Sequence, residues 1–442
     1  MLELLKKLHP LRLAPNSPDT DRAVKILCRE LPFAVHEFRP GDETNGWQVP
    51  QSWHVEKASI RKDGSLIFDG LSHPLAVMGY AKSFRGRVDL ETLKQHLTTR
   101  PDWPTAIGYH CDFYYKPWLA DWGFSVPYAL FTNLEEGLYD VELETVFGNG
   151  AMKVCDFFLP GETGETIVLN AHDCHAAQAN DDVSGIVVGV ETMKRLRKKT
   201  NRFSYRLIVC PEHLGTVFYL ARLSEEIAGT FKYCFFLEAL GNNRPLSLQK
   251  SFAGDTLLDR ACRNYLSSAH PDAHVDDFRK IIGNDETVWE APGYEIPTVS
   301  LSRFPFAEYH TSRDNEDIIL ESRLAEAADT LLEILFILET NAPVQRRFQG
   351  LLALSNPRYD LYIAPGTDPS VPSPQVKDRR KWNYLMDCLP RYFDGRTTVL
   401  DMADRHELPY RELYAYVKRF EEKGLAAFVQ GAAPKGFGKE ET

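Results

Sequence analysis

Between Ile167 and Gly185 an apolar run stops abruptly at His172-Asp-Cys-His175, and a pair of aspartates, Asp181 and Asp182, follows shortly after. Imidazole and carboxylate together suit zinc and its neighbours, and a carboxylate can bridge two ions where a histidine cannot. The chemistry such a set serves is hydrolysis, with an ion activating water and polarising a carbonyl. One segment cannot fill two coordination spheres, so further ligands must come from elsewhere. Three stretches qualify: Arg206-Leu-Ile-Val-Cys-Pro leads to Glu212 and His213, Tyr233-Cys-Phe-Phe-Leu leads to Glu238, and Pro297-Thr-Val-Ser-Leu301 leads on to Glu308, Tyr309 and His310.

Each ligand group needs an element to hold it. The short β-branched and aliphatic runs read as strands buried in a parallel sheet, with the ligands at the C-terminal ends where open α/β sheets bind. Asp181, Asp182 and Ser184 are cap-type residues before the apolar Ile186 to Met193, and Lys194, Arg195, Arg197, Lys198 and Lys199 crowd the far end, the signature of a helix. Taken alone, the aspartates also fit a plain helix cap and the histidines a packed pair. Recurrence of ligand-type residues after four strands favours a metal site.

Ala171-His172, Asn180-Asp181-Asp182-Val183-Ser184-Gly185, Glu212 and His310 resemble the two-zinc aminopeptidases of the bacterial leucine aminopeptidase type. The set His172-Asp-Cys-His175, Pro211-Glu212-His-Leu-Gly215, Asn284-Asp285-Glu286 and Tyr309-His310-Thr311-Ser312-Arg313-Asp314, with Tyr114-Tyr115 and Trp122-Gly123-Phe124, resembles an aminopeptidase-like subfamily with an inserted β domain and a C-terminal winged helix.

This resemblance implies that Asp181 is a bridging carboxylate, that the Asp181-Asp182 peptide is cis, and that Glu212 is the general base. It also implies metal ligation by Glu238 and His310. Either His172 or His175 can be the first ligand, and His213 stands where the larger family has a metal-binding glutamate. Cys174 occupies the place of an acid that would orient a histidine ligand. The cofactor implied is zinc, one or two ions, and the activity a metal-dependent aminopeptidase or related amide hydrolase acting on a small peptide or an aminoacyl or N-acyl compound. By proximity to these motifs, Glu286 or Glu308 could meet a substrate amino group, and Tyr309 or Arg303 an oxyanion or carboxylate. The alternative is a noncatalytic binding or regulatory protein on a peptidase scaffold.

The rest of the chain sets the frame. The 442 residues allow several domains, and a charged fraction of 26% with a hydrophobic fraction of 43% is ordinary for globular protein. A net charge of −11 disfavours nucleic acid and acidic membrane surfaces as bulk partners. Eight scattered cysteines, the lack of a cleavable leader pattern and the lack of an apolar stretch of membrane length point to the cytoplasm, with a homo-oligomer left open.

The expected fold is α/β, a mixed and mainly parallel sheet with helices on both faces. Residues 1–44 and 136–342 form the zinc-peptidase-like core, 45–135 the small inserted β domain, 343–376 a linker and 377–435 a winged-helix-like domain. Within these, Asp63-Gly64 signals a hairpin, Thr20 or Asp21 can cap a helix through Glu30, Tyr139 to Val146 alternates like an edge strand returning to the core, and Leu324 to Leu338 reads as a helix closing it. Helices are expected near 382–389, 399–405 and 411–422, before a strand at 424–429. Arg411, Lys418 and Arg419 share their helix with Glu412, Glu421 and Glu422, which favours protein packing over DNA binding.

Overall fold

The computed structural model describes residues 1–363 and 379–429; the expected linker beyond 363 and the tail-domain residues 377, 378 and 430–435 lie outside the described residues. Two compact units divide the chain, Met1–Gly254 with His274–Asp329, and Asp255–Ala273 with Thr330–Thr442.

An eight-stranded mixed sheet is the frame of the first unit. Its strands are β1 (Ala34–Phe38), β2 (Met152–Leu159), β3 (Thr166–His172), β4 (Ser204–Cys210), β5 (Phe231–Leu237), β6 (Ser247–Gln249), β7 (His274–Asp276) and β8 (Thr298–Ser302), in the order β1-β2-β4-β3-β5-β8-β6-β7. The central run β4-β3-β5-β8 is parallel throughout. Its apolar composition fits: every residue of β3 and β8 is buried, as both faces of such strands are covered. Each fully buried Val, Leu, Ile or Phe here stabilises by roughly 1.5–3 kcal/mol relative to exposure.

Helices α1 (Leu2–Leu8), α2 (Pro18–Glu30), α3 (Ser184–Leu196) and α4 (Leu214–Arg222) belong to this unit. The cap of α2 is Ser17, whose hydroxyl accepts the Thr20 N–H, rather than the expected Thr20 or Asp21; Pro18 suits the first turn because its missing N–H leaves no donor unsatisfied. Helix α3 lies so close to the sheet that a Cβ on Gly185 would come within 2.4 Å of the Leu237 carbonyl.

A second sheet, antiparallel and four-stranded, orders 65–69, 52–62, 138–148 and 84–89. Asp63 and Gly64, both at positive φ, make the expected tight hairpin turn. Leu138–Gly148, read from its alternation as an edge strand, is central instead, paired on both sides. Alternation marks a sheet covered on one face, which an interior antiparallel strand shares with an edge. The sheet therefore extends past residue 135, where the β insertion was expected to end.

The second unit contains α5 (Leu257–Ala269), α7 (Arg379–Tyr392), α8 (Val399–His406) and α9 (Tyr410–Glu422), with α6 (Glu321–Thr340) beginning in the first unit and ending here. A three-stranded antiparallel sheet accompanies them: β9 (Pro343–Arg346) lies between β10 (Asp394–Thr398) and β11 (Ala426–Phe428). Arg260 joins α5 to α8 through Asp401 and Asp404, each at 2.8 Å.

Candidate metal centre

His172 is the last residue of β3, and the carboxylate of Asp182 holds that strand end in place. Asp182 accepts the N–H of His172 (3.2 Å) on one oxygen and those of Gly185 (2.9 Å) and Ala239 (3.2 Å) on the other. Strand end, helix start and the loop after β5 are thus tied to one side chain. Asp314 does the same on the opposite side, accepting the N–H groups of Asn180 (2.7 Å) and Asp181 (3.0 Å). The Asp181-Asp182 peptide between these anchors is cis, as the resemblance implied.

Asp181 then projects between three imidazoles. Its Oδ1 lies 3.1 Å from His172 Nε2, and its Oδ2 lies 3.4 Å from His175 Nε2 and 3.2 Å from His310 Nε2. Glu238 adds a carboxylate 3.8 Å from His172 Nε2. Two ligand groups share Asp181, His172 with Asp181 and Glu238, and His175 with Asp181 and His310; within each, and within a third set of His172, Cys174 and Glu212, the donor atoms fall inside 4.8 Å of one another. Both histidines of the opening motif are used, one in each group.

Whether these residues suit a metal can be judged from their hydrogen bonding. His172 Nε2, His175 Nε2, Asp181 Oδ2 and Glu238 Oε2 are buried and none has a hydrogen-bond partner. Buried polar atoms normally find one, since an orphan costs about 1–3 kcal/mol. Lone pairs converging without hydrogen bonds fit a shared cation. Burial pushes the Glu238 carboxyl up, with His172 opposing it; burial acts likewise on Asp181, yet His172, His175 and His310 hold it well below the usual carboxylate range. The donor set is one that zinc accepts.

The other ring nitrogens are held from behind. Cys174 Sγ sits 3.3 Å from His172 Nδ1, and His175 Nδ1 meets the carbonyl of Ala176 at 2.8 Å. Asn284 donates to Glu238 Oε1 (3.1 Å), leaving Oε2 for the site. Cys174, which stands in sequence where an orienting acid would, meets the His172 ring in that position. The carboxylates of Asp182 and Asp314, for which the quoted motifs were the only hint, act through backbone N–H groups, a role that residue type does not announce.

Glu212 follows β4, with Oε2 at 3.5 Å from His172 Nε2 and 3.9 Å from Cys174 Sγ. His213 falls outside both ligand groups: its Nδ1 faces Asp285 Oδ1 at 3.2 Å, and the Thr216 hydroxyl donates to Asp285 Oδ2. Tyr309 stacks on His310 with ring centroids 3.8 Å apart. Burial raises its phenol, and Asp181, Glu238 and Glu212 raise it further. Glu308 is half-buried, and its carbonyl accepts the N–H and hydroxyl of Thr311.

Arg303 and Glu286 are committed elsewhere. Arg303 is buried and donates to the carbonyls of Leu240 and Arg244 and to Glu326. Glu286 accepts from Gln249, Arg279 and the Asn284 N–H. Long polar side chains beside a motif point wherever the loop backbone needs satisfying, which sequence proximity does not reveal.

The large mixed sheet and its helices are similar to the fold of solved zinc aminopeptidases. A zinc aminopeptidase from Bacillus subtilis superposes with a TM-score of 0.56 at 12% identity, covering 76% of this chain and 93% of that one. The Peptidase M28 precursor from Shewanella amazonensis gives 0.54 at 14% identity, covering 76% and 92%. The chain belongs to the family described as "Domain of unknown function (DUF4910)", which it matches over residues 2–341. A Clostridium acetobutylicum protein, provisionally named a polysaccharide biosynthesis protein with aminopeptidase-like domain, is 26% identical over 93% of this chain and 92% of its own. The crystal structure of a provisionally assigned peptidase from that organism superposes with a TM-score of 0.82 at 24% identity, covering 97% and 95%.

Proposed function

We propose that the protein is a metal-dependent aminopeptidase or related amide hydrolase, with His172, Asp181 and Glu238 holding one divalent ion, zinc first, and His175, Asp181 and His310 a second. The observation carrying this reading is the set of four buried, partnerless donor atoms converging around Asp181. Ions bound there would acidify water to a pKa of about 7 and polarise the scissile carbonyl.

The chain's own groups do the rest. Glu212 takes the proton from the attacking water on Oε2 and returns it to the departing amine. Tyr309, pressed against His310, is the donor for the developing oxyanion. Glu308 remains the candidate partner for a substrate amino group. For Arg303 and Glu286 the bonds described above favour structural roles, and for His213 a supporting role beside Glu212. The substrate class is a small peptide or an aminoacyl or N-acyl compound.

Residues 45–135, extended to 148 by the strand they pair with, are assigned as the inserted β domain, and 377–435 as a winged-helix-like domain that packs against protein rather than DNA. Arg411 supports the latter, since its guanidinium is engaged by Glu333 at 2.6 and 2.8 Å. The cysteines, free throughout, suit a reducing compartment, the cytoplasm. Among the described residues no helix is long and apolar enough to cross a membrane.

Metal analysis after chelator-free purification should find bound zinc, manganese or cobalt, and turnover of an aminoacyl or N-acyl substrate should vanish in Glu212→Gln while the metal stays. A protein that neither retains nor takes up such ions rules the reading out; metal with no turnover leaves the noncatalytic scaffold.

A further inference from the structure

One wall of the ligand cluster comes from outside the eight-stranded sheet. Residues 103–115 are delivered from between the 84–89 and 138–148 strands, and they run along the loop that carries His310. The Tyr109 N–H donates to the His310 carbonyl (2.9 Å), the Ser312 N–H to the Ile107 carbonyl (2.8 Å), and the Ile107 N–H to Ser312 Oγ (3.0 Å). Trp103 Nε1 donates to the Ala307 carbonyl at 3.1 Å. This strap stacks Tyr109 on His175, with centroids 4.1 Å apart. At its far end the Tyr114 hydroxyl donates to the Glu212 carbonyl, and the Tyr115 hydroxyl reaches Glu212 Oε1 at 3.2 Å.

Glu212 needs such a partner. Its side chain is 20% exposed and stands on a flexible stem, with Oε2 toward His172 and Cys174. A donor on Oε1 selects the rotamer in which Oε2, not Oε1, faces the attacking water. The phenol suits the task because burial raises it far above its ordinary range, so it stays a donor at any working pH. Its ring is fixed in turn against Tyr114, centroids 4.1 Å apart.

We infer that Tyr115 is the positioning residue of Glu212, so that the β insertion is part of the active site rather than an appendage to it. This rests on the hydrolase reading above, and the test separates the two. Tyr115→Phe keeps the ring and removes the hydroxyl. In metal-free protein, the infrared difference between wild type and Tyr115→Phe should show a shifted carboxylate band, and the shift should be absent when the same pair is compared in a Glu212→Gln background. In metal-loaded enzyme kcat should fall about 10–100-fold, with KM within about twofold and metal content unchanged, as expected for a misaimed group. Phe113→Leu, a change of packing on the same strap, should leave kcat and the band in place.

Coincident infrared bands, or a Tyr115→Phe enzyme within about twofold of wild-type kcat, overturn the inference while leaving the hydrolase reading intact. A wild-type protein that shows the band shift but has no metal-dependent turnover overturns both, leaving the contact purely structural.

Discussion

Each oxygen of Asp181 faces a different ligand group, so one substitution reaches both. Asp181→Asn, which replaces one oxygen by a donor, should reduce bound metal from as many as two ions to near none by elemental analysis, with the circular dichroism spectrum unchanged. Cys174→Ala removes the group behind His172 together with its contact to Glu212; loss of a partner behind a histidine ligand typically weakens metal affinity about 10–100-fold, measurable by competition with a chelator. That His172, His175, Asp181, Glu238 and His310 would converge as candidate ligands was legible because their types and their place after apolar runs are chemically distinctive. The sequence reading left His172 against His175 open, since it assumed one first histidine where the geometry has room for two. Arg303 and Glu286 were not legible in the same way, because their roles depend on which loop atoms fold back onto them.

The loops that carry the ligands are held by elements whose own bonds can be tested. Arg303 is 1% exposed and pairs with Glu326 on α6 at 2.5 Å. Arg303→Met should lower stability by about 3 kcal/mol, because the carbonyls of Leu240 and Arg244 lose this donor, and a denaturant titration reads this directly. His73 supplies a pH dependence. The Leu75 N–H donates to its Nδ1 (3.1 Å), and burial, aided by Arg12 and His9, lowers its pKa to about 4. The unfolded ring titrates near 6.5, so between those values the unfolded chain binds the extra proton and the native state loses stability as pH falls. His73→Gln should flatten the melting temperature over that window. At this scale periodicity and caps were legible to within a few residues, as for the 399–406 and 410–422 helices, whereas the partners of Leu138–Gly148 were not. Alternation specifies which face is buried, not how many neighbours a strand has.

For the whole molecule, charge is the property that the sequence states outright. With a net charge of −11, and with Arg411 and Lys418 on α9 paired to Glu333 and Glu421, the full-length protein should not shift duplex DNA even at low salt. A salt-sensitive shift in a gel assay would count against the assignment of the tail as a protein-packing module. The α/β class was readable from pattern and resemblance. That residues 103–115 reach the His310 loop was not, because no local rule connects segments so far apart.

That separation also sets a timetable. Ile107 and Ser312, bonded across the strap, are 205 positions apart, and His310 and Asp314 are translated well after His172, His175 and Asp181. Contacts of such long range form late, after local structure has paid the loop-closure entropy. A nascent chain still short of residue 303 would carry His172, Asp181 and Glu238 of the first group but lack His310 of the second and Asp314, whose carboxylate anchors the backbone of Asp181. Completion of the second group would therefore await synthesis of the His310 loop, making its cargo a matter of what the cell supplies at that moment.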